Sequence, residues 1–335
     1  MGSFPKVSVL LPTYRYGRFL RQALDSVLSQ TYTDFELIVS DDASPDDSAA
    51  IIAEYSARDL RIRAYCHRAN LGMVQNWNWC LEQARGEFVK FLFGDDLLCS
   101  PRSLETMVRA LDLEPRAALA ASARAILDEN SRQIDLWDEL GPSGYYAGGE
   151  VIGQCFDRDR NLVGEPSAVL FRRGSAHRGF DLSLVQLVDQ EFWFHLLTQG
   201  GMVYISDPLC AFRRHEAQQT VLNQPSGIAT AENARLVIRY FGQYAAACGV
   251  AVDSLAMRRR VFRHIYYCRK HRTRPEITAA VLAELEPHLP GLWYPLCWLL
   301  HRVCRPFENF RRWLDHRRLP VAQQPFSPKI ALSEV

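Results

Sequence analysis

The sequence predicts an α/β protein with a mostly parallel central sheet flanked by helices and a helical extension at its C-terminus. Short apolar runs alternate with segments of helical periodicity through the first third of the chain, and two of those runs end in acidic pairs. With 335 residues, 48% of them hydrophobic, the chain can bury a large core, and disorder is not its expected state.

Val7-Ser8-Val9-Leu10-Leu11 and Phe35-Glu36-Leu37-Ile38-Val39 read as buried strands. Between them Phe19, Leu20, Ala23, Leu24, Val27 and Leu28 recur at helical spacing, so the first unit is strand, helix, strand, which implies parallel pairing. Ile51, Ile52 and Tyr55 suggest a second helix, Ile62 to Tyr65 a strand, Met73 to Ala84 a helix and Phe88 to Phe93 a strand. A helix from Ser103 to Leu113 begins after Pro101. The stretch from Asp128 to Gly149, rich in Gly, Asp and Tyr, predicts a loop or short hairpins and an inner boundary. A short strand spans Ala168 to Phe171, and a helix begins around Asp189 with Trp193, Leu196 and Leu197 facing inward.

Lys and Arg number 39 against 38 Asp and Glu, so net charge makes no case for nucleic acid. Nine cysteines without a C-x-x-C pair suit a reduced, cytoplasmic compartment. Met1 to Lys6 lacks the features of a signal peptide. Pro12-Thr13-Tyr14-Arg15 stands where dinucleotide-binding or P-loop enzymes need glycines, which disfavours both classes.

In an open parallel sheet, ligands bind beyond the carboxyl ends of the strands, where Asp41-Asp42 and Asp95-Asp96 both fall. Asp41 and Asp42 can accept hydrogen bonds from a nucleobase N–H and ribose hydroxyls, or can simply shape a turn. For Asp46 and Asp47, helix capping is the expectation. Asp95-Asp96 concentrates negative charge between apolar walls and calls for a hard cation, Mg²⁺ or Mn²⁺, whose shell water and substrate phosphate would complete; the alternative is an exposed turn.

Val7 to Tyr14, the segment Ser26-Val27-Leu28-Ser29-Gln30-Thr31-Tyr32, Ser40-Asp41-Asp42-Ala43-Ser44 and Asn70-Leu71-Gly72 together resemble family-2 inverting glycosyltransferases of the GT-A fold. The resemblance implies a catalytic domain over 1–220, with a nucleotide-binding half about 1–127 and an acceptor half about 128–220, followed by a basic and aromatic extension over 221–335. It implies donor nucleotide binding by Pro12, Thr13, Tyr14, Asp41, Asp42, Asn70 and Asp95, with Asp42 on the base, and a divalent metal, Mn²⁺ or Mg²⁺, on Asp96. Asp189-Gln190-Glu191-Phe192-Trp193 resembles the segment that carries the catalytic base, which makes Asp189 the base and Glu191 its reserve. Without the resemblance, Asp189 could merely favour the positive end of its helix. Glu165, in Gly164-Glu165-Pro166-Ser167, and Glu191 are expected on the acceptor side, though the Glu165 segment reads equally as a polar loop stiffened by proline; Arg213 and His215 are expected at the departing diphosphate, with His215 alternatively in the metal shell, or, without the resemblance, as a solvated basic patch. Phe93 and Val188 depart from the family pattern, each standing where relatives carry an acid.

The expected reaction moves a sugar from a nucleotide-diphospho-sugar, UDP-sugar first, to a glycan or lipid-linked acceptor hydroxyl, in bacterial surface polysaccharide assembly. Alternatives are a degenerate member that binds sugar nucleotides without turnover and, further off, a sugar-phosphate nucleotidyltransferase. Trp, Phe and Leu beside Arg from Gly291 to Trp313 suit peripheral contact with the cytosolic face of the inner membrane, or a solvated helical packing layer.

Overall fold

The computed structural model describes residues 4–303, apart from 139, 217, 219–227, 248, 250, 252–253, 271–278, 280–281 and 284, together with 324–325. β1 (Val7–Thr13), α1 (Gly17–Leu28), β2 (Phe35–Asp41), α2 (Ser48–Ser56), β3 (Ile62–Cys66), α3 (Met73–Gln83) and β4 (Phe88–Phe91) follow in the expected alternation. Strands β3, β2, β1 and β4 lie side by side, all parallel.

Beyond β4 the sheet becomes mixed. β9 (Val169–Arg172) runs antiparallel to β4 and to β6 (Ala117–Leu127), and β6 in turn pairs antiparallel with β7 (Arg132–Trp137) and parallel with β10 (Gly201–Arg213). The segment read as loop or hairpins holds β7, β8 (Gly144–Tyr146), which adds to β10, and the start of α5 (Gly148–Arg158). β5 (Leu97–Leu98) pairs with β10 directly after the second acidic pair, and α4 (Ser103–Leu113) follows.

Alternation along the strands divides the core into two layers. Val7, Val9, Leu11, Leu37 and Val39 pack against Leu20, Leu24, Ile51 and Leu104 from α1, α2 and α4. On the other face, Leu10, Ile38 and Phe91 join Trp77 of α3, Phe156 of α5 and Phe192 and Trp193 of α6 (Val188–Leu197). That same layer takes in Val237, Phe241 and Phe262 from α7 (Ile228–Arg239), α8 (Phe241–Ala247) and α9 (Leu255–Lys270). These C-terminal helices therefore share the core of the sheet. A last described helix, α10, spans 293–303, and residues 304–323 and 326–335, with much of the basic tail, lie outside the described residues.

The segment Ser26 to Tyr32 has a structural task. Gln30 donates from Nε2 to the carbonyl oxygens of Ser26 and Ser100 and accepts the Leu104 N–H on Oε1 at 2.9 Å, joining the end of α1 to the start of α4. Asp46 likewise accepts the N–H of Gly17 at 3.0 Å and of Ser48 at 3.1 Å, capping α1 and α2 together.

Candidate active site

Thr13 and Asp41 are register partners at the carboxyl ends of β1 and β2. Asp42 is buried with both carboxylate oxygens taken, accepting the N–H of Leu71 at 2.6 Å and of Gly72 at 3.0 Å, while Asn70 Nδ2 donates to its carbonyl oxygen. Gly72 has φ of 88°, a left-handed conformation that a side chain would strain, and α3 starts from it. Asp41 accepts only the Ser44 N–H, on Oδ2; its Oδ1 and Thr13 Oγ1 are buried without a hydrogen-bond partner. A pair of orphaned polar atoms at a strand mouth suits a ligand N–H and hydroxyl. The free acceptor is thus on Asp41, whereas Asp42, the acid expected on the base, staples the 70–72 loop. Pro12 is buried within β1, and Tyr14 stands exposed at the rim, with the Arg15 guanidinium 5.2 Å from its ring centre.

The second acidic pair sits in the turn between β4 and β5, also buried. Asp96 accepts the Arg213 N–H on Oδ1 at 3.0 Å and the Ser167 hydroxyl on Oδ2 at 2.5 Å. Asp95 Oδ2 lies 3.0 Å from His215 Nε2, whose ring packs on Tyr16 and Phe19. Burial, and then the charge of Asp95, pushes the Asp96 carboxyl well above the usual carboxylate range. Beneath the turn, Lys90 is fully buried, donates to the Ser167 carbonyl oxygen, and is pushed down to about 8 by desolvation. Two crowded acids with lone pairs remaining, beside an imidazole, form a donor set that a hard divalent cation fits. Among the described residues no group of three or more His, Cys, Asp or Glu is placed to hold a metal ion.

Arg213 is 1% exposed and already engaged. It donates to the Asp95 carbonyl oxygen from Nε, to Ser131 Oγ from Nη1 and to Gln22 Oε1 from Nη2. Its guanidinium thus pins the acidic turn against Ser131 and Gln22.

The loop 164–167 connects that turn to α6. Ser167 Oγ accepts the Phe93 N–H while donating to Asp96, and the Gly164 carbonyl oxygen accepts the Trp193 indole N–H at 2.9 Å. Glu165 pairs with Arg124, a buried residue of β6, at 2.7 Å. Asp189 lies half-buried in the first turn of α6, accepting Asn161 Nδ2 at 3.2 Å and the Gln190 N–H at 2.7 Å. Burial, helped by the negative charge of Glu165, lifts its carboxyl to about 7. A carboxyl raised to near-neutral pH can exchange protons with a bound hydroxyl.

Glu191 differs in kind: it is fully buried, gripped by both Arg178 terminal nitrogens at 2.9 and 2.6 Å, by Arg239 at 2.7 Å and by the Tyr240 hydroxyl at 2.8 Å. Burial alone would raise its pKa, but these donors hold it below the ordinary range. The Glu191 carboxylate is thus occupied by donors from Arg178, Arg239 and Tyr240. Sequence reasoning passed over Tyr16, Lys90, Arg124 and Asn161, whose only signal is a polar residue within or beside an apolar segment.

A family model described as glycosyl transferase family 2 matches residues 8–180. An uncharacterized protein of Mycobacterium tuberculosis is 33% identical over 229 residues, 64% of this chain and 68% of that one. Among solved structures, S. aureus TarS 1-349 in complex with UDP-GlcNAc is similar with a TM-score of 0.56 at 16% identity, over 89% of this chain and 91% of that one. The mannosyltransferase PcManGT from Pyrobaculum calidifontis, in complex with GDP-Man and Mn²⁺, is similar with a TM-score of 0.53 at 14% identity, over 93% and 84%.

Proposed function

The chain belongs to glycosyl transferase family 2, and on that premise we propose that it moves a sugar from a nucleotide-diphosphate donor to a saccharide or lipid-linked hydroxyl with inversion, in bacterial surface polysaccharide assembly. The observation that carries the reading is Asp189: a half-buried carboxyl raised to about 7, joined through the 164–167 loop to the acidic turn. Asp189 accepts the proton of the acceptor hydroxyl as that oxygen attacks the anomeric carbon on the face opposite the departing diphosphate. Asn161 and the Gln190 N–H orient its carboxylate for that transfer.

Thr13 Oγ1 and Asp41 Oδ1 are the proposed contacts to the nucleoside, and His215 stays near the diphosphate through Asp95. Asp95 and Asp96 would hold Mn²⁺ or Mg²⁺, which when bound neutralises charge on the leaving group. The GDP-Man and Mn²⁺ of PcManGT and the UDP-GlcNAc of TarS support a donor of this class, with UDP-sugar the first choice. Over 1–220 we read the catalytic unit, and over 221–335 an extension that braces it.

We place the protein in the cytoplasm, against the cytosolic face of the membrane. No described helix is long and apolar enough to cross one. Supporting peripheral contact, α10 exposes Leu296, Leu299 and Val303 in one stripe with Leu292 just before it, while Arg258, Arg269 and Arg302 lie over the rings of Trp293, Tyr294 and Trp298.

Replacing Asp189 by Asn tests the reading. Transfer should fall by about 10²-fold or more while nucleotide affinity, measured by calorimetry, stays within twofold. Undiminished transfer would remove Asp189 from the mechanism.

A further inference from the structure

α7, in the C-terminal extension, grips α6 on both sides of Asp189. Upstream, Glu232 is 2% exposed, and its carboxylate accepts three consecutive backbone N–H groups: Val185 at 2.7 Å, Gln186 at 2.9 Å and Leu187 at 2.7 Å. Successive N–H groups converging on one anion form a nest, and here the anion is supplied by a different helix. Leu187 is the N-cap of α6 and provides no side-chain cap of its own; Glu232 instead holds the chain as it enters that helix, taking the N–H of Leu187 itself and of the two residues before it. Downstream, Arg239 lies seven residues further along α7, hence on the same face, and donates to Glu191 at 2.7 Å and to Asp181 at 2.8 Å. Tyr240, directly after α7, adds its hydroxyl to the same Glu191 oxygen. Asp189 sits between these ties, two residues after Leu187 and two before Glu191.

We infer that Glu232, with Arg239 at the second tie, is a positioning residue that fixes the first turn of α6 and thereby sets the orientation and solvent access of the Asp189 carboxylate. The inference rests on the reading of Asp189 as the base. A buried anion satisfied by three donors is costly to disturb, so removing it takes away the restraint on the chain entering α6 and leaves the turn held by the Glu191 tie alone. The charged groups that act on Asp189 from its surroundings are Glu165, on the loop before β9, and Arg124, on β6. Their distances to Asp189 depend on where the α6 turn stands. Loosening the turn admits water and moves the ionisation of Asp189 towards that of an ordinary aspartate.

The experiment compares the full-length wild type with Glu232→Gln, Arg239→Gln and Asp189→Asn, recording kcat and donor KM from pH 5 to 9 together with Tm. Glu232→Gln keeps the shape of the side chain but presents an amide N–H₂ to backbone donors. It should lower kcat at pH 7.5 by at least about tenfold, leave donor KM within twofold, and shift the acidic limb of the kcat profile to lower pH by about half a unit or more. Arg239→Gln should give a smaller change in the same direction, and it serves if Glu232→Gln does not fold. A folded Glu232→Gln with unchanged kcat, or with reduced kcat and an unmoved acidic limb, would overturn the positioning role and leave the base assignment standing if Asp189→Asn is inactive. An active Asp189→Asn would overturn the base assignment and this inference with it.

Discussion

Asp189 and Glu191 are two acids on one helix turn, separated in role by their partners. Glu191 is spent on Arg178, Arg239 and Tyr240, whereas Asp189 has one amide, one backbone N–H and a neighbouring negative charge. A base must be ionised to work, so kcat should rise with pH through an ionisation near 7 and fall away below it; a profile flat from pH 5.5 to 8 would count against Asp189. The same residue has a stability signature. Its folded-state pKa lies above the roughly 4 of an unfolded aspartate, so the folded chain keeps this proton between those values. The cost of ionising it in the fold is absent below about pH 4, grows as pH rises towards 7 and is complete above that. Asp189→Asn should therefore raise Tm at pH 8 and leave it unchanged near pH 4. The gain should be roughly 1–2 kcal/mol, because solvent reaching this half-buried group screens part of the shift. Asp41 and Asp42 show the same division: identical neighbours in the sequence, one closing a loop and one keeping a free oxygen.

Among the elements, those whose periodicity matched their environment were legible: β1, α1, β2, α3 and β4 carry apolar residues at strand or helix spacing and bury them. β6 was not. Its eleven residues, Ala-Ala-Leu-Ala-Ala-Ser-Ala-Arg-Ala-Ile-Leu, are all buried, and alanine's own preference is helical. Only a place in mid-sheet, between β10 on one side and β9 and β7 on the other, makes so alanine-rich a run a strand. α5 was hidden for another reason: Gly148 and Gly149 read as loop, yet Gly148 is required where a Cβ would lie 1.9 Å from the Leu197 carbonyl oxygen. For α10, the exposed leucines make a separate prediction. Leu292→Glu, Leu296→Glu and Leu299→Glu combined should abolish flotation with vesicles containing anionic lipid, while nucleotide binding persists. Flotation equal to wild type would dismiss this helix as the contact.

At the scale of the molecule, one core runs from the sheet through α6 into α7, α8 and α9, so these C-terminal helices pack into the same body as the sheet. Donor binding should reflect the whole assembly. In a thermal-shift panel of UDP, GDP, dTDP and CMP, one diphosphate should raise Tm more with Mn²⁺ than without, and Asp96→Ala should erase that difference. Stabilisation by no nucleotide would favour a degenerate family member, the reading that Phe93 and Val188 suggested. By itself the sequence determined the alternation of strands and helices as far as β4, together with α4, the family and the two acidic strand ends, because each is written in local periodicity or short motifs. The tertiary structure alone decided which acid of each group is held by several close partners, that Gln30 and Arg213 serve as struts, and that α7 ties the chain on either side of Asp189. Those outcomes depend on hydrogen-bond partners tens of residues away or more, and local pattern holds no record of them.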